Sequence, residues 1–254
     1  MKFGVWDLLL LVVVTLQSGL IAYLHHPRWK AFILTLPIPF TVAVLAVGRP
    51  VDATNVFGLP LLVLFMYAVR WCHCSLKMPV VAAIVIPALG CACVASAVAP
   101  FISAGNLLFF LGAAGCLVLA VVLLLTTPVP DDPGHRTPLP PYIKLPGIAG
   151  LVLILILIKG LLKGFLTVFP MVTVFALYEA RHSLRTISRQ GPILVLLLVP
   201  MMTVIRLTQA RLGVGFALAL GWATFLVLLY PVLRLTGSLP HGPGPARSAT
   251  TAKL

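Results

Sequence analysis

Acidic side chains are almost missing from this sequence. Its 254 residues hold five, Asp7, Asp52, Asp131, Asp132 and Glu179, against 18 lysines and arginines. Charged residues of either sign make up 9% of the chain, where soluble domains carry about a quarter. So few charges could not cover the 61% that is hydrophobic, which excludes a water-soluble fold. Also missing are a P-loop, an HExxH pair, a GxSxG elbow and any paired acids within the apolar runs, so we expect no enzyme. The five cysteines make no disulfide framework, because Cys91, Cys93 and Cys116 fall inside apolar runs. Ten-residue alternating segments, the mark of a membrane β-barrel, are absent too.

What the chain has is apolar runs of about 20 residues, long enough to cross a bilayer core of about 30 Å. The pattern predicts an all-α polytopic membrane protein with about nine transmembrane helices, near 4–24, 31–48, 57–71, 79–100, 106–127, 145–162, 164–180, 191–208 and 213–235. The divisions at Gly160–Gly164 and Arg206–Gly213 leave very short loops, and eight spans result if one segment is re-entrant. The first run follows Met1-Lys2 and continues to Tyr23 without a small-residue cleavage site, so it reads as a retained helix. The net charge of +13 is spread over loops and helix ends, where it sets orientation and predicts no nucleic-acid partner. Arg28, Lys30, Arg70, Lys77, Arg136, Lys144, Arg181, Arg185, Arg189, Arg234, Arg247 and Lys253 share one side, twelve of the 18. That side is expected in the cytoplasm, with the N-terminus outside and the C-terminus inside.

Lys163–Gln190 has an earlier echo. Sliding back 133 positions sets Lys163 on Lys30, Phe165 on Phe32, Pro170 on Pro37, Ala176 on Ala43 and Gly191 on Gly58 without a gap. Span two then matches span seven, and the odd offset predicts two inverted four-helix repeats. The expected organisation is a first repeat over 1–104, a bridging helix over 105–127, a proline-rich connector over 128–144, a second repeat over 145–236 and a disordered tail over 237–254. Inverted repeats with helices broken at matching positions are a recurrent plan of secondary transporters.

The stretch 155–230, through Lys163, Gly164, Phe169, Pro170, Glu179, Arg181, Gly191 and more loosely Pro200, resembles the GlpM-like small bacterial inner-membrane proteins. The first half resembles them only through Lys30, Pro37 and Gly58. In that family a Phe-Pro pair opens the second of four helices and a charged turn follows. The resemblance implies a bacterial inner-membrane location, a duplicated four-helix architecture and an association with exopolysaccharide output.

Several residues are candidates for chemistry. Lys159 and Lys163 are four apart, on one face if the helix runs through Gly160, and suit an anionic solute. Snorkelling from a helix end is the alternative. Pro37 and Pro170 each remove a backbone donor and free carbonyls near a span's start. Glu179, His182 and Arg185 recur every third residue, and Arg181, Arg185 and Arg189 every fourth. Continued as a helix, they place a basic stripe beside an acid–histidine pair suited to proton coupling. Glu179 is the only glutamate, and Asp7 is the other acid within a span. Arg206, after Pro200, would present charge on the side of Lys163. Cys72-His73-Cys74 and Cys91-Ala92-Cys93 lack the further spacing of a metal site, and no metal or cofactor is expected.

These readings converge on an exporter or importer of a small anionic solute, with substrate contacts at Lys163, Pro170, Pro37, Lys159 and Arg206 and proton coupling at Glu179 and His182. The partners expected are the bilayer, the solute, and a second copy or an envelope-biosynthesis protein. The alternative is a non-catalytic accessory protein for envelope polysaccharide or lipid export.

Overall fold

The computed structural model describes residues 4–24, 26–102, 105–127, 165–168 and 171–237, together with positions 146, 149, 150 and 153. Every regular element among them is a helix: α1 Val5–Tyr23, α2 Pro27–Thr35, α3 Ile38–Val47, α4 Ala53–Cys74, α5 Val80–Val98, α6 Asn106–Thr126, α7 Phe165–Val168, α8 Met171–Glu179 and α9 Leu184–Leu235. Among the described residues six stretches are long and apolar enough to cross a membrane: α1, Trp29–Val47 (α2 with α3), α4, α5, α6 and α9. The expected 145–162 span, the connector over 128–144 and the tail beyond Gly237 lie outside the described residues, apart from the isolated positions.

The long helices are apolar on both faces, as a lipid-embedded bundle requires. In α1, Leu10, Val14 and Ile21 are buried at helical spacing, while Val5, Leu8, Val12, Leu16 and Leu20 face outward. The α1 amino terminus is closed by Asp7, whose carboxylate accepts from the Gly4 amide at 2.9 Å. At the centre of the bundle stands α4, packed against α5, α6, α7 and α9, with Val56, Leu59, Phe65 and Val69 buried. It starts at Ala53, earlier than the apolar run suggests. Asp52 caps it by accepting from the Thr54 amide, and the Asn55 side chain returns a bond to the Asp52 amide.

The 52 residues of α9 cannot be one straight crossing, since at 1.5 Å per residue they would measure about 78 Å. The chain reverses at Gly213, whose φ of 76° and ψ of 163° belong to a region reserved for glycine. Two antiparallel arms result. Arg189 on the first arm donates to the Thr236 carbonyl past the end of the second, and Gly221 on the second lies against Ile205 on the first. The division expected between Arg206 and Gly213 therefore falls at a single residue.

Small residues set the closest approaches, as in other membrane helix pairs. A Cβ on Gly58 would stand 3.0 Å from that of Val168, and one on Gly191 would stand 3.0 Å from the Met66 sulfur. Tightest is Gly221, where a Cβ would meet Ile205 Cγ1 at 2.7 Å. Gly221→Ala should destabilise the protein by about 1–3 kcal/mol through overpacking, and Ile205→Ala in the same chain should restore part of the loss. Unfolding in denaturing detergent reads both; a neutral Gly221→Ala would show that the arms separate freely.

Hydrogen bonds tie off the two ends of the bundle. At one end, Arg206 and Gln209 of α9 meet Val51 before α4 and Asn106 at the start of α6. At the other, Arg189 donates to the carbonyls of Thr127 and Thr236 at the ends of α6 and α9, and Tyr67 bonds Thr127. One guanidinium thus serves two helix carboxyl termini, whose last carbonyls lack intrahelical partners.

Candidate functional site

An α-helix bonds each carbonyl to the amide four residues on, so Ile33 would need an amide at position 37. Pro37 has none. The helix accordingly stops: α2 ends at Thr35 and α3 begins at Ile38, with Pro37 at the N-cap. The orphaned Ile33 carbonyl is taken instead by the Gln17 side chain of α1, at 2.9 Å, and by the Leu36 amide at 3.2 Å. On the far side of the break, the Thr41 amide and hydroxyl both donate to the Pro37 carbonyl.

A second pair of helices lies against this one. α7 ends at Val168 and α8 begins at Met171, leaving Phe169 and Pro170 outside the described residues. α3 packs on α7 and α2 on α8, so the two helix pairs lie side by side. Each is held by an amide side chain from a long helix that follows the other. Gln190, early in α9, donates to the Thr35 hydroxyl of α2, and Asn55, early in α4, donates to the Thr167 hydroxyl of α7 at 2.8 Å.

Between the two helix pairs lies a cavity of about 50 Å³, bounded by Leu36, Pro37 and Phe40 from the first, Thr167 and Thr173 from the second, and Leu198 of α9. That volume holds about one or two waters. Its polar groups are neutral hydroxyls, so in this conformation it has no charge to offer an anion.

The expected site residues are dispersed around this cavity. Pro37 lines it. Lys159, Lys163 and Pro170 lie outside the described residues. Arg206 is at one end of the bundle, donating to the Val51 carbonyl at 3.0 Å and to Asn106 Oδ1 at 2.8 and 3.2 Å. Glu179 is buried near the other end, where its backbone carbonyl accepts from Lys30 Nζ at 3.3 Å. His182 is exposed.

One expectation is corrected. Glu179, His182 and Arg185 do not continue one helix, because α8 stops at Glu179, the chain turns through 180–183, and α9 starts at Leu184. The reversal that sends α9 back through the bundle requires that turn. It also scatters the basic stripe: Arg181 lies 5.7 Å from the Tyr178 ring, Arg185 is exposed and Arg189 is buried. Among the described residues no three His, Cys, Asp or Glu side chains gather as metal ligands. Cys72 is buried and Cys74 exposed, while His73 Nδ1 bonds the Met78 carbonyl.

Sequence reasoning missed Lys30, Gln17, Asn55, Thr167 and Gln190. Gln17 and Thr167 were legible as single polar residues within apolar runs, which a membrane core tolerates only when they find partners, while Lys30, Asn55 and Gln190 stand just before such runs. Comparison with protein-family models, with curated proteins and with solved structures found no match to this chain.

Proposed function

We propose that this chain is a multi-pass transporter of a small anionic solute, in which α2–α3 and α7–α8 are the matching broken helices of two inverted units. The carrying observation is the packing of α2–α3 against α7–α8, with a threonine of each pair bonded to the long helix that follows the other. Discontinuous helices that meet between repeats are where secondary transporters place their substrates. In this reading the membrane is crossed nine times, α6 joins the units, the N-terminus is outside and the C-terminus cytoplasmic. The small cavity is then the closed state, and Lys159, Lys163 and Pro170 complete the path on opening. Glu179 and His182 flank one mouth, where a proton could be exchanged for solute. The resemblance of 155–230 to GlpM-like proteins supports a bacterial inner membrane as its location.

The cavity's small volume favours a second reading, an accessory scaffold for envelope polysaccharide or lipid export, with no solute path of its own. Side-specific labelling separates the two without knowing the solute. Thr173→Cys, in a background with the five native cysteines replaced by alanine, would be treated in oriented vesicles with a membrane-impermeant thiol reagent. A carrier that alternates its access exposes this position to each side in turn, giving slow labelling from both. Complete protection from both sides would reject transport and leave the scaffold.

A further inference from the structure

A second, larger cavity lies at the opposite end of the bundle from Lys30. It has a volume of about 480 Å³, within the range of about 300–1,000 Å³ usual for small-ligand sites. Its residues do not overlap those of the cavity between the helix pairs. Asn106 and Phe110 come from the first turns of α6, Arg206, Leu207 and Gln209 from the first arm of α9, and Val214 from just past the Gly213 reversal.

We propose that this cavity binds the phosphodiester headgroup of an anionic phospholipid. Three observations point there. The first is position: Arg206 stands seven residues before Gly213, about 10 Å from the end of its helix, at the depth where headgroups meet hydrocarbon. The second is charge. Arg206 lines the cavity, Arg49 adjoins lining Pro50, and Arg211 adjoins lining Ala210, with Arg49 and Arg211 both exposed. The start of α6 opens here as well and adds the positive end of its dipole. The nearest acid in sequence, Asp52, is engaged with the Thr54 amide and hydroxyl at the start of α4.

The third observation selects a lipid over a free anion. Phe110, Leu207 and Val214 give the cavity an apolar wall, and Leu207 is 61% exposed on the outside of the bundle. A ligand with acyl chains would cover that wall while its phosphate meets the arginines. A free phosphate would leave it bare. The site is independent of transport and stands under either reading of function.

Native mass spectrometry of the full chain, released from mixed micelles, provides the test with phosphatidylglycerol and phosphatidylcholine as probes. The wild type should retain phosphatidylglycerol about tenfold more than phosphatidylcholine. Arg49→Gln with Arg211→Gln, both at exposed positions, should weaken that retention about thirtyfold, near fivefold per arginine. Ala210→Trp, which fills the cavity and keeps every charge, should also lose the lipid. Equal retention of the two lipids by the wild type would overturn the proposal, as would unchanged retention by the double arginine variant. Complete displacement of phosphatidylglycerol by millimolar inorganic phosphate would overturn it in favour of a soluble anion.

Discussion

Lys30→Met is expected to destabilise the bundle by about 1.5–3 kcal/mol, the usual contribution of a hydrogen bond from a charged donor. Lys30 is 1% exposed and Glu179 3%, and the ammonium reaches the backbone carbonyl of that glutamate across 149 positions of sequence. Methionine matches the length and packing of the lysine stem, so the loss isolates the ammonium. What remains is the Glu179 backbone carbonyl without its charged donor. Glu179→Gln keeps that backbone carbonyl and should leave the Lys30 contribution in place, which a double-mutant cycle of the two measures. If Lys30→Met unfolds in detergent at the wild-type denaturant midpoint, the ammonium contributes nothing and α2 is held to α8 by apolar packing alone.

Arg206→Lys should cost about 2–3 kcal/mol although it keeps the charge. The guanidinium fork bonds two acceptors on different elements, the Val51 carbonyl and Asn106 Oδ1, and hydrogen bonds from a charged donor contribute about 1.5–3 kcal/mol each. Lysine has a single nitrogen on a flexible stem and cannot span both acceptors. Gln209 would still hold Val51 through its own paired bonds at 2.9 Å, which limits the damage to α6. An unchanged thermal midpoint for Arg206→Lys would return this arginine to the role its sequence position suggested, a plain positive charge facing an anion.

The membrane class and the position of the first break were legible in the sequence for local reasons. An apolar run of bilayer length and a proline without an amide act within a few residues of where they are read. Gly213 was visible as a place where an apolar stretch too long for one crossing had to divide. The partners of the polar residues were not visible. Gln17 finds Ile33, Asn55 finds Thr167 and Gln190 finds Thr35 across separations of 16, 112 and 155 residues, and only packing decides those meetings. The acceptors of Arg206 were hidden for the same reason, since they lie 100 and 155 residues away. The Glu179–Arg185 periodicity misled differently. Helical spacing in sequence does not guarantee a helix where the chain must turn back at the membrane edge.

The proline in the second apolar stretch has a mechanical consequence. Bending an ordinary helix ruptures a rung of its ladder, and in hydrocarbon no water steps in to replace it. At Pro37 the rung to Ile33 never existed, and its carbonyl rests on a side chain from α1 with rotatable bonds of its own. α3 can therefore swing against α2 while the Gln17 amide follows the carbonyl, and the joint turns without leaving a bare dipole in the bilayer.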